Sequence, residues 1–227
     1  LQYNTVYTIG VTGLTDCKGN AMTAMEVKAG RPADAGPQDM AINEILFNPA
    51  PNGYDYVEFF NRGTKIIDAA KLFIANRNSS GLISSIRALS PLPFYIFPGE
   101  YMVVTEEADQ LPLFYQVLNP AAVLPVSSLP SFPDDEGDVV LLNAQGAVAD
   151  EVKYKDDWHF KLISNAEGVA LERLDPGGPS NEPGNWHSAA ATAGYGTPGY
   201  KNAQYHPVEA SAATITVSPV LFSPDND

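Results

Sequence analysis

The sequence predicts an all-β fold. Its 227 residues include 19 prolines and 18 glycines spread along the chain, which divide it into pieces too short for long helices. Residues 54–61 alternate as a strand does, with Tyr56 and Glu58 on one face and Val57 and Phe59 on the other. Several such short runs separated by turn residues are typical of a sandwich or barrel.

Short runs rich in apolar and β-branched residues mark the predicted strands. After the first 40 residues they lie at 41–47, 54–61, 66–68, 71–75, 101–105, 139–142, 148–155 and 169–173. Residues 106–115 predict one short helix, because apolar side chains recur near one face, although Pro112 shortens it. The chain is therefore expected to be β-structure with little helix.

Turn-rich stretches divide the chain into five parts. Residues 1–30 predict a hairpin around the turn residues Asp16-Cys17-Lys18-Gly19-Asn20. A two-stranded hairpin is marginal alone in water, so it should lean on another domain. The predicted parts are a hairpin at 1–30, a linker at 31–38, a main domain at 39–205, a second linker at 206–213, and the start of another β domain at 214–227, where a strand at 214–217 would pair with the hairpin.

Charge and composition exclude some partners. The net charge is −14, from 13 basic and 27 acidic residues, and such a surface repels phosphate backbones and anionic membranes. We therefore expect no nucleic-acid partner. The sequence has no apolar run long enough to insert into a membrane. Cys17 is the only cysteine, so no disulfide forms within the chain.

An ordered set of short motifs runs through residues 39–205. In chain order they are Ile42-Asn43-Glu44-Ile45 with Asn48-Pro49, Asp55-Tyr56-Val57-Glu58-Phe59-Phe60-Asn61 with Gly63, Asp68 with Leu72, Pro98-Gly99-Glu100-Tyr101, Gly146 with Asp150, Tyr154 and Trp158, Leu171-Glu172-Arg173, Asn185-Trp186, and Gly196-Thr197-Pro198-Gly199 with Asn202. In this order they resemble the lamin tail domain family. Two departures are Phe73, where the family often has tryptophan, and an additional segment at 76–98, which is predicted to be an insertion or an extended loop.

The resemblance implies an immunoglobulin-like β-sandwich with partial β elements on either side. Bacterial members of the family stand beside immunoglobulin-like domains in large secreted proteins, so residues 1–30 are expected to be the last strands of a preceding domain. Residues 218–227 are expected to open a following one. The implied location is secreted or on the outer surface of a Gram-negative bacterium. The nuclear role of animal lamins is not implied, because the sequence has no heptads.

The acidic run at 133–138 is the best candidate for a metal. Closely spaced carboxylates in a loop are what calcium requires, and the candidate ligands are Asp134, Asp135, Glu136 and Asp138. The alternative is a hairpin turn whose carboxylates face water. Asp225 and Asp227 are further calcium candidates, completed by a downstream domain. No other cofactor is expected.

Few residues predict chemistry of another kind. Trp158 is a candidate for stacking on a sugar, whereas Trp186 is expected in the core. Glu44 and Glu58 lie on neighbouring strands, where the resemblance favours a structural role in capping turns or binding Arg62 and Arg173. The histidines His159, His187 and His206 are expected in loops or half exposed, and no nucleophile motif is present.

The leading hypothesis is therefore a non-catalytic structural or interaction module, whose partners are the neighbouring domains of the same chain. A second hypothesis is a module that binds a glycan or a cell-surface protein through residues 76–98 and the apolar segment 111–133. A third, implied by the resemblance, is an accessory domain of a surface nuclease or phosphodiesterase.

Overall fold

A computed structural model describes residues 1–207, which are mostly β-structure. The helical elements of this part of the chain are six 3₁₀ turns of three residues each. The all-β prediction is confirmed. The strands are β1 (Tyr7–Val11), β2 (Met25–Ala29), β3 (Met40–Leu46), β4 (Tyr56–Asn61), β5 (Ile67–Asp68), β6 (Phe73–Arg77), β7 (Ile83–Ala88), β8 (Tyr95–Ile96), β9 (Tyr101–Thr105), β10 (Val123–Pro125), β11 (Glu136–Leu142), β12 (Val148–Lys155), β13 (Leu171–Arg173) and β14 (Trp186–Ser188).

The larger sheet has six strands in the order β10-β9-β4-β3-β13-β14. Its neighbours are antiparallel, apart from the parallel pair β9 and β10. Strand β3 is buried along its whole length, and its pairing with β4 shifts register between Ile42 and Glu44. Residues three apart in a regular strand face opposite sides, so the extra residue Asn43 is what keeps Ile42 and Ile45 both in the core.

The second sheet has four antiparallel strands in the order β12-β11-β6-β7. Alternate residues of both sheets meet in one buried apolar cluster, as the pleat requires. Two small sheets, β1-β2 and β5-β8, complete the described architecture. The arrangement is sandwich-like, and its shared core includes Ile42, Ile45, Val57, Phe59, Met102 and Val104 of the larger sheet with Ile74, Val139, Leu141, Val152 and Tyr154 of the smaller.

A buried ion pair joins the two sheets. The Arg173 Nη1 on β13 lies 2.8 Å from the Asp150 Oδ2 on β12, and the Arg173 side chain is 0% exposed. Arg173 also donates to the carbonyl oxygens of Ile42 and Gly178, at 3.0 and 2.7 Å. Asp150 in turn accepts from the Ile42 amide at 2.8 Å. The pair therefore holds β12, β13 and β3 together.

The N-terminal hairpin forms as predicted from β1 and β2, paired antiparallel. It rests on the main domain at its second strand, where Lys28 Nζ lies 2.6 Å from Glu100 Oε1. Gly30 packs so closely that a β-carbon there would overlap the Ile66 side chain. One face of the hairpin leaves apolar side chains about half exposed, and these are Ile9, Met25 and Val27.

Three local predictions are wrong. Residues 106–115 do not form a regular helix but a 3₁₀ turn at Leu111–Leu113, because Pro112 has no N–H to continue the helical hydrogen bonds. The additional segment at 76–98 is not an open loop, since it holds β7 and β8. Strand β11 begins at Glu136 and not at Val139, so half of the acidic run lies within a strand.

Replacing Arg173 with methionine should lower the free energy of unfolding by about 3–5 kcal/mol, because Asp150 would keep a buried charge without its partner. Asp150→Asn combined with Arg173→Met should lower the free energy of unfolding by less than the sum of the two single changes. Lys71→Met, which breaks the exposed pair with Asp34, should cost under about 1 kcal/mol. Urea unfolding measures the free energy of unfolding for the two single variants, the double variant and Lys71→Met. If the losses from Asp150→Asn and Arg173→Met simply add in the double variant, the two residues are not coupled.

Candidate functional site

Three buried glutamates form a row across the outer face of the larger sheet. Glu44 on β3 stands opposite both Glu58 on β4 and Glu172 on β13 in the strand register. All three are 0% exposed. Like charges directly opposite one another destabilise a sheet, and buried carboxylates are costly without partners. We call these three side chains the carboxylate row.

The carboxylate row is covered by residues 196–205, which we call the closing segment. Its backbone supplies N–H groups to all three glutamates. The Thr197 amide donates to Glu44 Oε1 at 2.9 Å, and the Gly199 amide donates to Glu58 Oε2 at 2.7 Å. The Gln204 amide donates to Glu172 Oε2 at 2.7 Å. The segment is thus attached at three points along the row.

The Thr197 hydroxyl bridges two of the glutamates. Its Oγ1 lies 2.7 Å from Glu44 Oε2 and 2.9 Å from Glu172 Oε1. A hydroxyl has a single proton to donate, so it can serve only one of these two acceptors. The other contact is a hydrogen bond only if that carboxyl carries a proton and donates to Oγ1. The geometry therefore favours one proton shared between Glu44 and Glu172.

Two asparagines complete the polar network. Asn43, the bulge residue, donates through Nδ2 to Glu58 Oε1 at 2.8 Å and to Asn202 Oδ1 at 2.7 Å. Asn202 donates to the carbonyl oxygens of Asn43 and Arg173, at 3.0 and 2.8 Å. The Asn202 side chain therefore binds β3 and β13 at once and fixes the end of the closing segment.

Two glycines allow the closing segment to approach. A β-carbon at Gly196 would lie 2.7 Å from both the Tyr115 ring and the Tyr56 hydroxyl oxygen, which leaves no room for a side chain. Gly199 has a φ of +88°, a conformation that other residues adopt only with strain. The Gly-Thr-Pro-Gly motif thus combines close approach, the bridging hydroxyl and a turn.

The environment favours neutral carboxyl groups. Burial, followed by the charge of Glu172, raises the pKa of Glu44 to about 7, although hydrogen bonds from Tyr56 and Thr197 oppose the shift. Burial and the charge of Glu44 raise the pKa of Glu58 well above its ordinary value, although donation from the Asn43 side chain and the Gly199 amide opposes the shift. Burial raises the pKa of Glu172 against the donation from Gln204. Both Glu58 oxygens accept from N–H groups, so the contacts that call for a shared proton are those of the Thr197 hydroxyl with Glu44 and Glu172.

The predicted partners of Glu44 and Glu58 were wrong. Arg173 pairs with Asp150 on the other side of the sheet, and Arg62 donates to the carbonyl oxygens of Pro176 and Pro37. Within residues 1–207, the hydrogen-bond donors to the carboxylate row are neutral groups. The row can bind backbone, hold protons and exclude water, and in this closed form its atoms contact no solvent.

The predicted calcium candidates lie along the start of β11. Glu136 and Asp138 each face a lysine of β12, with Glu136 Oε2 2.9 Å from Lys155 Nζ and Asp138 Oδ1 3.9 Å from Lys153 Nζ. No cluster of three or more metal-ligating His, Cys, Asp or Glu side chains occurs in residues 1–207. Calcium binding by Asp134, Asp135, Glu136 and Asp138 therefore stays a prediction, and these side chains are not assembled into a ligand cluster in the described residues.

Trp158 lies at the surface end of the core. Its ring is half buried, with its centroid 6.4 Å from that of Trp186, which is in the core as predicted. Beside it Phe160 is 45% exposed and lies 5.3 Å from the His187 ring, centroid to centroid. Together with Lys155, Asp157 and Lys161, these rings line a shallow open groove, which we call the aromatic groove.

His187 is half exposed and His206 is exposed in a loop, as predicted, but His159 differs from its prediction. His159 is buried rather than half exposed, and its Nδ1 lies 2.9 Å from Ser188 Oγ. Burial lowers the pKa of His159 to about 4, so the ring is neutral near pH 7. Ser188 is 1% exposed and also accepts the Phe160 amide. The pair therefore fastens the chain at 158–160 to β14.

Some predictions fall outside the described residues, namely the strand at 214–217, the opening of a following domain at 218–227, and the calcium candidates Asp225 and Asp227. No helix in residues 1–207 is long and apolar enough to cross a bilayer. A search of protein-family models finds no match to the chain, and a search of curated proteins finds none either. The resemblance to the lamin tail domain rests on the ordered motifs alone.

The third member of the row and its covering were missed from the sequence. The available signal was the period of two that places Glu44, Glu58 and Glu172 each at the centre of a strand, where apolar residues are the rule. Three glutamates in such positions predict a shared buried network. Their mutual register could not be read from separate strands.

Thr197→Val should destabilise the protein by about 1–3 kcal/mol, because valine keeps the volume but removes the hydroxyl between two buried carboxyls. Thr192→Val is the matched control, since Thr192 is exposed in a 3₁₀ turn. It should change stability by less than about 0.5 kcal/mol. Equal unfolding midpoints in urea for the two variants would refute the bridging role.

Proposed function

We propose that the chain is a non-catalytic structural and interaction module with an immunoglobulin-like, lamin-tail-like β-sandwich, carried by a secreted or cell-surface multidomain protein of a bacterium. The observation that carries the proposal is the location of the motif residues. The motif residues Glu44, Glu58, Glu172, Asn43, Asn202, Arg173 and Trp186 are buried, and the three glutamates and two asparagines share one hydrogen-bond network. Such residues maintain a shape, and the module then acts through its surface and its attachment points.

The turn motifs support the same interpretation. Asn61 donates through Nδ2 to the carbonyl oxygens of Lys65 and Ile96, both at 2.8 Å. In the Pro-Gly-Glu turn, Gly99 has a φ of +79° and Glu100 accepts the Phe97 amide at 3.0 Å. These side chains therefore replace backbone hydrogen bonds at the ends of β4 and β9.

The Asn185-Trp186 motif has an equivalent role before β14. Asn185 accepts the Asp175 amide at 2.9 Å and donates to the carbonyl oxygens of Asp175 and Pro179. Trp186 donates through Nε1 to the Ser180 carbonyl at 2.8 Å, while its ring fills the core. The motif thus anchors the loop between β13 and β14.

The hairpin supplies the surface for a partner. Ile9, Met25 and Val27 form an exposed apolar face on a sheet of only two strands, a size that is marginal in water. Exposed apolar patches mark interaction surfaces. We assign this face to a neighbouring domain of the same protein, with the sandwich holding the hairpin in a fixed position.

A rigid spacer predicts a fixed distance between the hairpin and the sandwich. Spin labels on Cys17, the exposed cysteine of the hairpin turn, and on an introduced Ser79→Cys should give one narrow distance distribution in pulsed electron paramagnetic resonance. Gly30→Val should broaden it, because its side chain would overlap Ile66. Gly10→Val is the control, since nothing lies within 4 Å of a β-carbon there.

The outcome separates a spacer from a flexible attachment. A broad distribution in the otherwise unchanged protein would contradict the spacer role, as would an unchanged width in Gly30→Val. A narrow distribution that broadens only in Gly30→Val supports it.

A second candidate function is carbohydrate binding at the aromatic groove, which the exposed Phe160 ring beside His187 favours. The C–H face of a sugar ring packs on aromatic faces, and its hydroxyls would bond to flanking charged groups such as Asp157 and Lys161.

A glycan array tests this candidate with Phe160→Ala and the control Leu162→Ala, which removes an 83% exposed apolar side chain from the same loop. Binding should fall at least about tenfold in Phe160→Ala, the equivalent of losing about 1.4 kcal/mol, and should remain in Leu162→Ala. An empty array, or an equal loss in both variants, would remove this candidate.

A further inference from the structure

The closing segment is attached to the sandwich differently from the strands. None of the residues 196–205 belongs to the apolar core clusters. Its attachment is mainly through hydrogen bonds to the carboxylate row and the bonds of Asn202, together with the burial of Pro198 and the close approach of Gly196 to two tyrosines and of Gly199 to Asn119. The apolar core and the Arg173–Asp150 ion pair hold the sheets together without it. The segment can therefore open while the sandwich stays folded.

We propose that the closing segment is a proton-dependent latch, which is held on the larger sheet by one proton shared among Glu44, Thr197 and Glu172. When the proton is present, each short contact of the Thr197 hydroxyl is a hydrogen bond. When it is lost, two ionised carboxylates face each other in a buried site, and one of them faces a hydroxyl oxygen without a hydrogen between. The latch then opens, and water reaches the row.

In residues 1–207, all but one of the titratable groups near the row are tyrosines, which carry no positive charge and cannot offset the charge of an ionised carboxylate. Tyr56 on β4 donates to Glu44, and Tyr115 packs edge-on against the Tyr56 ring. Burial and the charge of Glu58 raise the pKa of Tyr101 on β9, and burial and the charges of all three glutamates raise the pKa of Tyr200 in the closing segment. The exception is His187 on β14, which stands opposite Glu172 and lowers its pKa when charged.

The direction of the pH dependence follows from linkage. The pKa of Glu44 is about 7 in the closed form against an ordinary 4.5, so the closed form binds more protons than the open form between these values. Raising the pH through this window therefore favours opening. His159 has the opposite effect on global stability, because its pKa of about 4 lies below the ordinary 6.5. A test of the latch must therefore measure the opening of the closing segment and not the global stability of the protein.

Opening has two consequences for a surface module. It exposes three adjacent carboxylates on the outer face of the larger sheet, and it frees residues 196–205 from their fixed path over that face. A pH above about 7 would thus present an acidic strip and a released segment, whereas a mildly acidic medium would keep both covered.

Hydrogen exchange of the full chain tests the latch between pH 5 and 8, with rates corrected for base catalysis. Protection of the Thr197, Gly199 and Gln204 amides should fall by up to about tenfold for each pH unit from 5 to 7 and then level off. Amides of β11 and β12 should keep their protection. Equal losses in both regions, or unchanged protection of the closing segment, would overturn the proposal.

Three glutamine variants identify the proton. Glu44→Gln places an N–H where the shared proton lies, so protection of the Thr197 amide should persist across the range. In Glu58→Gln, the new side-chain N–H would point at one of the two donors to Glu58, either the Asn43 side chain or the Gly199 amide. Protection of the closing segment should therefore be low at every pH. Glu136→Gln, at an exposed glutamate outside the row, should behave as the unchanged protein. His187→Asn should leave the pH dependence in place.

Each result decides the assignment. A Glu44→Gln protein whose protection falls as steeply as that of the unchanged protein would show that the titrating proton is elsewhere. If His187→Asn abolishes the pH dependence, then the histidine and not the shared proton is its cause. Either result overturns the latch as proposed.

Discussion

The carboxylate row is the constraint on which the rest of the larger sheet depends. Three like-charged side chains stand opposite one another on adjacent strands, a placement that opposes the pairing of β4, β3 and β13. While the row is buried, the pairing of these strands requires that donors cover the row and that it holds a proton. The closing segment meets that requirement, which is why a stretch without any strand of its own is built into the sandwich.

The bulge at Asn43 connects this outer network to the core. It returns Ile45 to the core face after Ile42, and it places Asn43 beside Glu44 on the outer face. Asn43 can then bind Glu58 and Asn202 together. One inserted residue therefore serves both sides of β3, and its removal would turn either the isoleucines or the network to the wrong face.

How far the sequence predicts this structure depends on the range of the interaction. Strands at 101–105 and 148–155 form at their predicted bounds, because their apolar residues and flanking turns are local signals. The three-residue strands Val123–Pro125 and Trp186–Ser188 were missed, since only their neighbours make them strands. The burial of Trp186 was predicted, but the partners of Glu44 were not, because register is a property of strand pairs.

The pleat of β13 explains why the negative charge of the row is neutralised by protons and not by a basic side chain. Glu172 and Arg173 are adjacent, so a strand turns them to opposite faces. Arg173, the buried cation of the described residues, is thereby committed to Asp150. Exchanging the two would place the guanidinium among the glutamates but leave Asp150 unpaired against a carboxylate. The sequence order Glu-Arg thus assigns a fixed charge to the junction of the sheets and a titratable one to the surface that the closing segment covers.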